Sequence, residues 1–175
     1  MKLLVSQIIE TPKELDFAES PEELNRFYSG ESKDFRFPDP LRVHLLHYRS
    51  GADLFFHGRV ETQVEGHCSR CLKSYSFRLE KEFDSVLAPD STSAKNKELN
   101  AGELGLSFYR GEEINLEPLI REQALLALPT RPLCDEKCRG LCPRCGADLN
   151  EVECRCGDSH ADPRLAVFRD MKLHQ

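Results

Sequence analysis

The sequence predicts an α+β fold: an antiparallel β-sheet, open or barrel-like, with a few helices and a C-terminal cysteine-rich zinc-binding module. Three observations carry this expectation. Residues 54–65 alternate strictly, with Leu54, Phe56, Gly58, Val60, Thr62 and Val64 on one face and His57, Arg59, Glu61, Gln63 and Glu65 on the other. A period of two with one charged face is the pattern of an antiparallel strand covering a core on one side. Residues 116–128 instead carry a helical apolar stripe, and six of the eight cysteines crowd into residues 134–156.

Taken in order, residues 3–9 (LLVSQII) predict a first strand. Ser20 at N-cap, Pro21 at N1 and Glu22-Glu23 in the first turn start a helix, kept short by Gly30, Pro38 and Pro40. Residues 41–49 form a strand with Leu41, Val43 and Leu45 on one face, and Ser50-Gly51-Ala52-Asp53 turns the chain into the strand at 54–65. Alternation resumes with Tyr75, Phe77, Leu79 and Phe83, so Cys68 and Cys71 fall at the tip between two antiparallel strands. Residues 89–105 are polar and turn-rich and read as a linker, before strand-like residues at 106–109. Asn115 caps the helix of residues 116–128, Pro118 sits in its first turn, and Pro129 ends it. Leu116, Leu119, Ile120, Ala124, Ala127 and Leu128 form its apolar face. Asp162-Pro163 opens a last helix through residue 172, with Leu165, Phe168 and Met171 on one side. The expected organisation is a body at 1–128 and, at 129–175, a module whose final helix packs on the body.

At 175 residues the chain can bury a core without covalent staples, so its cysteines add something to a core. Residues 2–9 are too short and too interrupted for a secretory h-region, and no stretch approaches the ~20 apolar residues of a membrane span. A cytoplasmic location is expected, where clustered cysteines are metal ligands more often than disulfides. The net charge of −6 lies wholly in the body, where 22 Asp+Glu oppose 16 Lys+Arg; residues 129–175 hold 8 of each. That balance argues against gripping nucleic acid by bulk electrostatics; the acidic body suits a basic partner or else forms a solvated surface. Among the cysteines, Arg139, Arg144 and Arg155 are candidate contacts to RNA or to a protein partner, or else solvate the module.

Tetrahedral zinc sites take four Cys or His ligands, and Cys₄ sites are structural. Eight cysteines make two such sites, so two zinc ions are expected. Cys142-Pro-Arg-Cys145-Gly and Cys154-Arg-Cys156-Gly supply one. Cys134 and Cys138, completed by the distant Cys68 and Cys71, supply the other; Cys138 with Cys142, or His67 or His160 as a fourth ligand, are alternatives that spacing leaves open. A redox-active Cys68-x₂-Cys71 is a rival reading, but a hairpin tip lacks the helix N-terminus that depresses a thiol pKa. No nucleophile elbow, P-loop, HExxH or dinucleotide fingerprint is present, and closed Cys₄ sites leave no position for a reactive water. No enzymatic activity and no small-molecule substrate are expected. His44, His47 and His57 read as surface or satisfied strand residues, and Phe55 as an aromatic on the polar face.

The stretches EINLEPLIREQALLALP, PLCDEKCRGLCPRCGADLNEVECRC and DPRLAVFRDMK, with CSRCL upstream, resemble the bacterial YceD family, also represented in plastids. The likeness runs from about residue 41 to the end. It implies a non-enzymatic role in large-subunit ribosome biogenesis, supporting accumulation of the 23S ribosomal RNA, and an association with the zinc-binding ribosomal protein L32 or a large-subunit precursor. Two alternatives stand beside it: a zinc ribbon that binds ribosomal RNA directly, and a thiol-redox or metal-handling protein.

Overall fold

The computed structural model describes residues 1–28, 34–90 and 106–156. Strand β1 (Lys2–Leu4) is followed by a 3-10 turn at Val5–Gln7, then β2 (Lys13–Glu19) and helix α1 (Pro21–Tyr28). Next come β3 (Phe35–Arg36), β4 (Leu41–Ser50), β5 (Asp53–His67), β6 (Ser74–Pro89), β7 (Leu106–Tyr109), β8 (Glu113–Asn115) and α2 (Leu116–Leu126). Both helix starts follow their side chains. Ser20 Oγ accepts the Glu23 N–H at 3.3 Å, and Asn115 Oδ1 accepts that of Glu117 at 3.2 Å; each satisfies a donor with no partner inside the helix.

Five strands run in the order β2-β4-β5-β6-β7, and β3 pairs with the far end of β5. The hairpin of β5 and β6 is the backbone of the sheet, paired without interruption from Leu54↔Leu87 to His67↔Ser74. At about 3.4 Å per residue, the 15 residues of β5 extend roughly 50 Å. β4 accompanies β5 only as far as Arg42↔Glu61, so the tip carrying Cys68 and Cys71 projects past the broad part of the sheet. Gly58 lies in the middle of that hairpin opposite Phe83, and a Cβ there would stand 2.3 Å from the Phe83 ring. The absence of a side chain lets the ring lie across the strand.

One face of the sheet meets the helices. Leu41, Val43, Leu45, Leu54, Phe56, Val60, Val64, Leu79 and Phe83 pack with Leu24 of α1, with Leu116, Ile120 and Ala124 of α2, and with Ile8 and Ile114. Arg121 of α2 ties the layers together. It pairs with the buried Glu19 at the end of β2, and its guanidinium lies 5.6 Å from the Phe27 ring of α1. The opposite face is polar. Glu61 accepts from Arg78 at 2.6 Å and approaches Arg42 at 3.7 Å, while Tyr48 and Phe55 stack at 5.1 Å.

The structure corrects several expectations. Among the described residues the sheet does not close into a barrel: its path runs from β2 to β7 without rejoining. It is not wholly antiparallel, because β7 pairs parallel with β6. The predicted first strand at 3–9 is β1 plus a 3-10 turn, closed by Ile8 N–H on the Val5 carbonyl at 3.2 Å. β2, β3 and β8 were not expected. The helix at 162–172 and residues 91–105 of the predicted linker lie outside the described residues. Among the described residues, no helix is long and apolar enough to cross a membrane.

Candidate metal centres

The tip between β5 and β6 is shaped by its own backbone. Cys68 N–H donates to the Lys73 carbonyl and Leu72 N–H to that of Cys68, both at 2.9 Å. Leu72 takes a left-handed φ of 62°, a region that non-glycine residues seldom occupy. Onto this tip the segment after α2 is laid. Ser69 N–H donates to the Pro132 carbonyl at 2.8 Å and Leu141 N–H to that of Arg70 at 3.2 Å. The Arg70 guanidinium reaches across to the carbonyls of Glu136 at 3.0 Å and Cys138 at 2.7 Å. Gly140 crosses Arg70 so closely that a Cβ would meet its carbonyl oxygen at 3.0 Å. A short turn, with Asp135 accepting from the N–H groups of Lys137 and Cys138, brings Cys134 and Cys138 round to one side.

The result is a group of four sulfurs, those of Cys68, Cys71, Cys134 and Cys138, all within 4.8 Å of one another. Cys68 and Cys138 stand 3.8 Å apart, Cys71 and Cys134 3.6 Å. A tetrahedral centre with metal–sulfur bonds of about 2.3 Å has S···S edges of about 3.8 Å, whereas a disulfide closes to about 2.05 Å. Tyr75, Leu133 and Leu141 pack around the group, making a second small core apart from that of the body.

The second group is Cys142, Cys145, Cys154 and Cys156, again within 4.8 Å. Gly146 N–H closes on the Cys142 carbonyl, and Cys142 N–H on that of Ala147, both at 2.8 Å. Gly146 needs its φ of 73° to make that turn. Cys142 and Cys154 sulfurs stand 3.3 Å apart, Cys145 and Cys154 3.5 Å. The two groups differ in exposure: three of four cysteines are buried in the first, one of four in the second.

The electrostatics of both groups suit a cation. Burial pushes the Cys68 thiol up, but backbone hydrogen bonds from Cys134, Cys71 and Arg70 outweigh it and draw its pKa down to about 6. Backbone hydrogen bonds at Cys145 and Arg144 draw Cys142 down to about 6 as well. The remaining thiols are opposed by their neighbours. Cys134, by burial and then by the sulfurs of Cys71, Cys68 and Cys138, is pushed up to about 12, and Cys156, by those of Cys154 and Cys145, likewise. Sulfurs this close cannot all be anions alone; a divalent ion among them removes the conflict. In geometry and donor chemistry, both groups fit a metal.

Sequence reasoning missed the residues that hold the two groups together. Lys73 pairs with Asp148 at 2.8 Å and with Glu151. The Lys73 ammonium, then the Asn150 N–H, hold the Asp148 carboxyl below its usual range. Asn150 Nδ2 donates to Cys138 Sγ at 3.4 Å. None of these side chains belongs to a recognisable motif; each is placed by contacts between distant parts of the chain. Arg139, Arg144 and Arg155 are exposed, and Arg144 donates to the Cys156 carbonyl at 2.7 Å. Neither group includes His67, and His160 lies outside the described residues.

The family model described as "Large ribosomal RNA subunit accumulation protein YceD" matches residues 56–172, a span that takes in all eight cysteines. The chain belongs to the YceD family. Relatives within reach include an uncharacterised protein of Mycobacterium tuberculosis, 34% identical over 117 residues, covering 65% of this chain and 53% of that protein. The "Large ribosomal RNA subunit accumulation protein YCED homolog 1, chloroplastic" of Arabidopsis thaliana is 26% identical over 157 residues, covering 74% of this chain and 48% of its own length. An uncharacterised Mycobacterium leprae protein is 26% identical over 132 residues, covering 75% of this chain and 59% of that protein. The YceD-family chain thus spans about half the length of the curated relatives it matches. No solved structure matches it.

Proposed function

We propose that this chain is a non-enzymatic factor of large-subunit ribosome biogenesis that supports accumulation of 23S ribosomal RNA. The observation that carries the reading is the family match across both cysteine groups. In this reading each group holds one zinc ion, Cys68, Cys71, Cys134 and Cys138 the first and Cys142, Cys145, Cys154 and Cys156 the second. When bound, zinc supplies cross-links rather than chemistry, since four thiolates leave no open position. The first centre clasps residues 129–156 to the hairpin tip. The acidic body docks a basic ribosomal protein, L32 in the expectation drawn from the family, or a large-subunit precursor.

Exposed Arg139 and Arg155 favour a second reading, direct contact with RNA. The two readings part on nuclease sensitivity. Salt weakens both, since RNA binding falls log-linearly with it and an acidic–basic contact is screened by it, but only direct RNA contact is lost when the RNA is digested. Both place the protein in the cytoplasm. The deciding experiment removes the protein from its source organism and measures 23S against 16S ribosomal RNA. The expected result is a lowered ratio, restored by the wild-type chain but not by Cys142→Ser/Cys145→Ser. An unchanged ratio overturns the proposal. Affinity capture at moderate salt then shows whether ribosomal proteins or precursor RNA come with it.

A further inference from the structure

Asn150 lies between Cys145 and Cys154, in the loop bracketed by the second group, yet its side chain serves the first. Its Nδ2 donates to Cys138 Sγ at 3.4 Å and to Asp148 Oδ1 at 2.7 Å, and its Oδ1 accepts the Arg139 N–H at 2.7 Å. Beside it, Leu149 N–H donates to the Gly140 carbonyl at 2.9 Å. Two residues before Asn150, Asp148 meets Lys73, itself two residues beyond Cys71, at 2.8 Å. One loop therefore touches both halves of the first centre: the segment around Cys138 and the hairpin tip around Cys71. The second group closes the same loop from its ends, with the sulfurs of Cys145 and Cys154 3.5 Å apart.

We propose that Asn150 is a positioning residue that couples the two metal centres, so that filling the second raises the metal affinity of the first. This rests on the reading of both groups as zinc centres. An N–H donated to a thiolate fixes its orientation and withdraws part of its charge, and partners of this kind are worth about 10–100-fold in metal affinity. With the second centre empty, the loop between Cys145 and Cys154 loses its closure, and Cys138 loses that donor. Linkage makes the effect reciprocal: whatever the second ion does for the first, the first does for the second.

The test is native mass spectrometry of the zinc-free full-length chain given substoichiometric zinc. The wild type is expected to show zinc-free and two-zinc species with the one-zinc species scarce. Asn150→Ala is expected to accumulate the one-zinc species and to weaken the first centre about tenfold in a chelator competition. Cys154→Ser/Cys156→Ser should weaken the first centre equally, and adding Asn150→Ala to it should do nothing more. A statistical distribution of species in the wild type, which needs no variant to fold, overturns the coupling alone. So does an additive loss in the combined variant, the mark of a merely structural side chain. A wild-type chain that takes up no zinc overturns the coupling together with the reading of the centres beneath it.

Discussion

His44 and His47 stand three residues apart on β4 and face opposite sides of the sheet. His44, exposed, lies 2.7 Å from Asp16 on β2, and that hydrogen bond raises its pKa. His47 is buried, and burial followed by the nearby Lys13 charge lowers its pKa. The signs are opposite. A raised pKa gives His44 a contribution that is full below about 6.5 and lost as pH climbs through its folded value. A lowered one gives His47 a contribution present above about 6.5 and lost as pH falls toward its folded value, because the unfolded chain then binds more protons. Urea unfolding at pH 7 and pH 5 separates them: His47→Leu should abolish part of the acid loss, and Asp16→Asn should deepen it. If both variants track the wild type at both pH values, these two histidines do not govern its acid sensitivity. At this scale the sequence was informative only where chemistry is local. Ser20 and Asn115 could be read as caps because a cap acts within three residues. The roles of Arg70 and Asn150 could not, since Arg70 reaches Cys138 across 68 residues.

Among elements, the β5–β6 hairpin and its partner segment form the unit on which the rest depends. Its strands were legible because alternation continues over many residues, with Leu54 to Val64 inward and Arg59, Glu61 and Glu65 outward. β2 was not, because only Leu15 and Phe17 mark its period among charged neighbours. Nor was the parallel pairing of β7, which depends on where the chain returns and not on its composition. The cysteine groups were legible as chemistry, since thiols at these spacings suit few other purposes; the grouping of residues 68–71 with 134–138 was the expected completion of the second site, but spacing left other ligands open and only the folded chain brings the four sulfurs together. Cys68→Ser tests that grouping at the level of elements. We expect zinc content to fall from two equivalents to one, with protease cleavage appearing at residues 129–140, while β-sheet circular dichroism is kept. Full zinc content with unchanged protease resistance would show that the tip and the module are not clasped.

For the whole molecule, the separation of two cores decides what metal removal does. The body's core contains no cysteine, and the second core is built around three of them. Chelation at neutral pH should therefore leave the body's thermal transition within a few degrees of its original position and expose the thiols of residues 134–156 to alkylation. Loss of the whole transition on chelation would mean that the clasp carries the body as well. The clasp also has a consequence in time. Cys68 and Cys138 are separated by 70 residues, and synthesis proceeds at roughly 5–20 residues per second. β6 ends at Pro89 and Cys134 lies 45 residues further on, so for about 2–9 s the hairpin is finished while the tip's other two ligands do not yet exist. During that interval a nascent chain offers the Cys68 and Cys71 thiols on a projecting ribbon, open to a metal ion, an oxidant or a chaperone. The order of synthesis thus makes the most buried centre of the finished protein the one that waits longest to close.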